Sequence, residues 1–198
     1  MKRLLALFLL VFTVLPYIAL ASGTLYESFT ASPDGQSAVA SNQWIAQSWT
    51  TTSSHSLGSV KLNVFKTGTP TDTWTIGVYA TSGGKPTGSA LCSTTADPST
   101  FTTSTSGAVV EFILSGCPTL SNATVYAIQV SSNGGSNPNW GLIRHVNGGG
   151  YPNGQAYYSS DNGSTWLADG PGGTADNYFE IYGAVSSTPA PTFHPQFF

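Results

Sequence analysis

Between Leu57 and Thr67 apolar and polar side chains alternate: Leu57, Val60, Leu62, Val64 and Phe65 fall mostly on one parity, with Ser59, Lys61 and Asn63 on the other. Alternation with a period of two places successive side chains on opposite sides of an extended backbone, so this segment reads as a half-buried strand. Thr73 to Ala80 repeats the pattern, with Trp74, Ile76, Val78 and Ala80 facing one way and Thr73, Thr75, Gly77 and Tyr79 the other. The intervening Gly68-Thr69-Pro70-Thr71-Asp72 has turn chemistry, and the two runs together predict a hairpin.

Further strands are predicted over Ser89 to Thr95, Val109 to Leu114, Thr124 to Ser131, Trp140 to His145, Gln155 to Ser159 and Tyr178 to Tyr182. Gly- and Pro-rich loops separate them, among them Ser82-Gly83-Gly84-Lys85-Pro86, Gly148-Gly149-Gly150 and Gly170-Pro171-Gly172-Gly173. Helical periodicity is missing. Many short strands with this punctuation predict an all-β fold, an antiparallel β-sandwich of aligned or jelly-roll type. No internal repeat suggests a solenoid or a propeller.

The N-terminus changes the picture. Lys2 and Arg3 precede an apolar run from Leu4 to Leu15, Pro16 follows, and Ala19-Leu20-Ala21 offers the small residues that signal peptidase accepts. Residues 1–21 are therefore expected to be a signal peptide, since the run is shorter than the ~20 residues of a bilayer span. An uncleaved anchor is the alternative. Residues 22–185 form the expected single β-sandwich domain, with no membrane span in the mature chain. Residues 186–198 begin as a Pro/Ser/Thr-rich tail or truncated linker (Ser186-Ser187-Thr188-Pro189-Ala190-Pro191-Thr192) and finish on Phe193-His194-Pro195-Gln196-Phe197-Phe198.

Charge is sparse, at 8% of residues, against roughly 25% in an average soluble domain. Beyond Arg3 the basic side chains are Lys61, Lys66, Lys85 and Arg144, against nine acidic ones. No basic patch can hold a phosphate backbone, which excludes nucleic acid as a partner. Cys92 and Cys117 are the only cysteines, and after an export signal they are expected to form a disulfide.

Ser159-Ser160-Asp161-Asn162-Gly163-Ser164-Thr165-Trp166 fits the pattern S-x-D-x-G-x-T-W and resembles an Asp-box, a hairpin motif found in glycosidases and in non-enzymatic β proteins. A structural role follows for Asp161, Gly163 and Trp166: the carboxylate accepts bonds across the turn, the glycine takes a conformation a Cβ obstructs, and the aromatic packs beneath. Asp169 and Asp176 flank a Gly-rich loop and are the candidates for a structural calcium, against the plainer reading of solvated turn residues. Calcium takes about six to eight oxygens, and no D-x-D-x-D run supplies them. No other cofactor is implied. His55, His145 and His194 have no nucleophile motif beside them, and Glu27, Glu111 and Glu180 are the only glutamates.

Aromatics remain. Trp140, Tyr151, Tyr157 and Tyr158 lie in a stretch rich in Asn, Gly and Ser, a composition suited to stacking a sugar ring, although core packing is the plainer reading for most of them. A period of two puts Tyr157 and Tyr158 on opposite faces. Asn122-Ala123-Thr124 and Asn162-Gly163-Ser164 fit the N-glycosylation sequon.

The ordered phrases QSWT from Gln47, LGSVKLNVFKTGTP, TWTIGVYATSGGKPTGSAL, VVEFILSG, TVYAIQVSS, AYYSSDNGSTW and NYFEIYG are similar to the extracellular choice-of-anchor domains, particularly the R type. The resemblance covers about residues 44 to 183 and implies a β-sandwich secreted by prokaryotes or displayed on their surfaces. It carries no chemistry to any residue, and no anchor motif follows Val185. The expected function is a secreted or surface-displayed, non-catalytic recognition or adhesion module for a glycan or a surface protein. Two alternatives stand beside it: a self-associating structural subunit of a surface layer or filament, and a glycosidase-associated domain.

Overall fold

The computed structural model describes residues 23–184. The expected signal peptide and tail lie outside the described residues. The chain begins with β1 (Leu25–Phe29), β2 (Gly35–Val39) and β3 (Trp44–Thr50). Next come β4 (His55–Thr67), β5 (Trp74–Ser82), β6 (Lys85–Ala96) and β7 (Ala108–Ile113), followed by β8 (Thr119–Leu120), β9 (Val125–Ser132) and β10 (Trp140–Val146). The last four are β11 (Ala156–Ser159), β12 (Leu167–Ala168), β13 (Asp176–Asn177) and β14 (Phe179–Gly183). No α-helix occurs among the described residues.

The strands form two antiparallel sheets packed face to face, the predicted β-sandwich. One sheet has the order β1-β14-β4-β10-β13, with β2 added to β10 and β7 and β8 added to β4. The other has the order β12-β11-β3-β9-β5-β6. Val60, Leu62 and Val64 of β4 and Phe179 and Ile181 of β14 meet Trp49, Ile76, Val78, Ile128 and Val130 of the facing sheet. Trp74 is fully buried in this core, where its ring meets Phe101 edge-on at 5.1 Å. Gly141 makes room for it, since a Cβ there would stand 2.3 Å from Cζ2 of Trp74.

The predicted hairpin of β4 and β5 is corrected: the two strands lie in different sheets, and residues 68–73 cross between layers. Each strand sends one parity of apolar side chains into the same core, from opposite sides. Two facing strands therefore show the same alternation as two paired ones. Phe65 departs from the predicted parity and packs with Ala38, Leu142 and Trp140 on the outer face of the eight-stranded sheet.

Cys92 in β6 and Cys117 after β7 form the expected disulfide, with Cα atoms 4.9 Å apart. The bridge ties the outermost strand of one sheet to the margin of the other. The enclosed loop corresponds to about 3 kcal/mol in the chain-entropy account.

Candidate functional site

The outer face of the six-stranded sheet carries a groove. Ile45, Gln47 and Trp49 of β3 point inward, so Trp44, Ala46 and Ser48 point out. Gln129 of β9 is registered with Ala46 on one side and Gly77 on the other. Gly77 has no side chain and the Ala46 methyl is covered by Trp166 and Tyr157, and the trough that Gln129 lines lies between Trp44 and Tyr79. Tyr79 lies down over Gly77, where a Cβ would come 2.8 Å from Cε2 of the ring. The Gln129 amide donates to the Tyr79 hydroxyl at 3.3 Å. Burial pushes the Tyr79 phenol above its ordinary value.

Two turns wall the trough. The β5–β6 hairpin turns through Gly83 and Gly84, both at positive φ (56° and 79°), the backbone that a two-residue hairpin turn requires. Beyond it β6 bulges, running from Thr87 to Cys92 while β5 spans only Val78 to Ala80. This brings Pro86, Thr87 and Gly88 to one side of the groove. The opposite wall is the turn after β11, with Asn162, Gly163 and Ser164. The groove is open on its solvent side and holds about 390 Å³, within the range of small-ligand sites.

The turn after β11 is built by its own side chains. Asp161 Oδ1 accepts from the Thr165 backbone N–H at 2.8 Å and from the Ser159 hydroxyl at 2.8 Å, and Oδ2 accepts from the Thr165 hydroxyl at 2.7 Å. These bonds, the Thr165 backbone N–H first, hold the Asp161 carboxyl below its ordinary value. Ser159 Oγ in turn accepts from the Gly163 N–H at 2.8 Å. Gly163 has φ 77°, and a Cβ on it would come 2.7 Å from Cε3 of Trp44. Trp166 is buried beneath the turn against Ala46, Tyr157 and Trp44. The indole N–H of Trp44 has no hydrogen-bond partner among the described residues.

The four aromatics singled out from the sequence do not converge. Trp140 packs with Phe65 on the outer face of the other sheet. Tyr151 lies between Phe179, edge-on at 5.2 Å, and Phe29 at 5.8 Å. Burial, with Glu27 and Asp176 nearby, pushes its phenol up to about 12. Tyr157 is buried on the outer face of the six-stranded sheet, and Tyr158 packs against the inner core. Only Tyr157 adjoins the groove, as support for Trp166.

The calcium candidates are occupied by protein donors. Asp169 accepts from the Ser37 hydroxyl at 2.8 Å and from the Gly170 N–H at 2.8 Å. Asp176 accepts from the Gln47 amide at 3.1 Å and the Tyr151 N–H at 2.9 Å, and burial raises its carboxyl above the ordinary value. No cluster of three or more His, Cys, Asp or Glu side chains suited to a metal occurs among the described residues.

Ser37, His145 and Asp169 do meet, but not as a relay. Nδ1 of His145 lies 3.2 Å from Ser37 Oγ and 4.0 Å from Asp169 Oδ2, so a single ring nitrogen faces both partners. A relay needs the two nitrogens to serve different partners. Glu27 and His55 form a second buried pair, with Nε2 3.8 Å from Oε2 and Tyr26 stacked on the imidazole at 3.8 Å.

Trp44, Tyr79 and Gln129 escaped the sequence reading. A signal for Tyr79 was present, because the alternation in β5 already placed it on the outward parity. Trp44 belongs to a strand buried on both faces, which shows no alternation. Compared with models of known protein families and with curated protein sequences, the chain matches none. No helix among the described residues is long and apolar enough to cross a membrane.

Proposed function

We propose that the chain is an extracellular recognition module that binds glycan in the groove between Trp44 and Tyr79. The observation that carries this reading is a sheet face with a partly exposed indole, a phenol lying flat and a side-chain amide, walled by two turns. Aromatic faces stack on the apolar faces of sugar rings, and amide and hydroxyl groups exchange hydrogen bonds with sugar hydroxyls. No carboxylate lines the groove among the described residues, so it offers neither acid nor base for glycoside hydrolysis. The basic-apolar N-terminal pattern and the inter-sheet disulfide support export, as does the resemblance to choice-of-anchor domains. A glycan array and affinity gels test the reading. Binding is expected to disappear in Trp44→Ala and persist in Trp140→Ala, and the reverse would locate recognition elsewhere.

A second reading, self-association by strand addition, has its own support. β7 pairs only with β4, and two of its outward side chains, Val109 and Ile113, are 46% and 58% exposed. Light scattering of wild type and Ile113→Lys tests it: a monomer in both would exclude it.

A further inference from the structure

The groove's chemistry narrows the class of glycan, an inference that rests on the glycan-binding reading above. Gln129 and Tyr79 are joined by one hydrogen bond of 3.3 Å. With the amide donating, the phenol keeps an O–H to give and the amide keeps a carbonyl oxygen to receive. With the amide turned over, it keeps two N–H groups and the phenol oxygen is free to accept. Either way the pair keeps at least one donor beside an acceptor.

Neighbouring sugar hydroxyls in gauche relation have the matching need, one accepting while the other donates. The Tyr79 ring lies along the strand because Gly77 has no side chain, which fixes its hydroxyl at Gln129. Trp44, partly exposed and packed by Gly163 and Trp166, lines the same trough. The lining carries no Lys, Arg, Asp or Glu among the described residues. Asp161, next to Asn162, spends its carboxylate on Thr165 and Ser159. An anionic sugar would find no countercharge here, and leaving its carboxylate or sulfate unpaired would cost the desolvation of that group.

We infer that Tyr79 and Gln129 together read a gauche vicinal diol on an uncharged pyranose stacked against Trp44, and that uronates and sulfated sugars are excluded. Charge plays no part in this recognition, so affinity is independent of salt.

The test uses the intact chain against immobilised β-glucan, xylan, mannan and galactan, with polygalacturonate as the anionic arm. Methyl glycosides of the sugar that binds, and their monodeoxy analogues, then compete. One or more neutral polymers are expected to bind, with no salt dependence and no binding to polygalacturonate. Removing either hydroxyl of one adjacent pair is expected to weaken competition ~10-fold or more, and Tyr79→Phe and Gln129→Met to weaken binding by similar factors. Circular dichroism and melting temperature check that both variants fold.

Binding lost in Trp44→Ala but unchanged in Tyr79→Phe and Gln129→Met would overturn the diol inference and leave the groove reading standing. So would polygalacturonate binding as tightly as a neutral polymer. Failure of every polymer to bind, or binding unaffected by Trp44→Ala, would overturn the groove reading and this inference together.

Discussion

Tyr79 lies over Gly77, two residues earlier on the same face of β5, so closely that a Cβ at 77 would stand 2.8 Å from the Tyr79 ring. A strand glycine weakens the strand locally, and here it is used to lay an aromatic ring flat on the sheet. Gly77→Ala is expected to lift the ring and break the bond from Gln129. Overpacking of this kind costs about 1–3 kcal/mol. Thermal melts give that cost, and the NMR shifts of the Tyr79 ring report its movement. Unchanged shifts would mean that the ring tolerates the methyl where it lies.

Reduction of Cys92–Cys117, or replacement of both by Ala, is expected to lower stability by about 3 kcal/mol, the loop-entropy contribution of the bridge. The two sheets also share a large common core, so the reduced chain should keep its β circular dichroism. Urea melts with and without reductant measure the difference, and equal midpoints would show that the bridge adds nothing.

Acid should weaken the turn after β11 in a predictable direction. Hydrogen bonds from Thr165 and Ser159 hold the Asp161 carboxyl below its ordinary 3.8, so the folded state favours the ionised form. That contribution is complete above the ordinary value and fades as pH falls through the folded one. Glu180 acts in the same direction: burial works to raise it, but the Tyr178 and Tyr182 hydroxyls and Lys61 outweigh burial. Asp176 acts oppositely, since burial raises it and its contribution is lost as pH rises through the folded value. The melting-temperature gap between wild type and Asp161→Asn is therefore expected to be widest at neutral pH and to shrink below about 3.8. A gap constant with pH would show that the charge does not hold the turn.

Both sequon asparagines are exposed, but only Asn162 lines the groove. Produced in a host that N-glycosylates, the chain is expected to lose glycan binding when Asn162 is occupied and to keep it when only Asn122 is. Ser164→Ala should restore binding in that host. Mass spectrometry reports occupancy, and full binding by chains occupied at Asn162 would show that the groove stays open beneath the added sugar.

The sequence by itself determined the fold class, because half-buried strands must alternate: Trp74, Ile76 and Val78 enter the core as their parity requires. It also determined the disulfide, which the two cysteines left no other intramolecular way to form. Within the Asp161 turn the interacting groups lie within a few residues of one another, so its bonds are local ones. Three kinds of relationship were decided only by tertiary structure. β1, β2 and β3 went unseen; β3 is buried on both faces, Ile45 and Trp49 within and Ala46 and Ser48 without, so it shows no alternation. β4 and β5 looked like partners because a facing strand and a paired strand bury the same parity. The groove needs Trp44, Tyr79 and Gln129 from three strands far apart in sequence, and the register that sets Gln129 between Ala46 and Gly77 exists only once the sheet has formed.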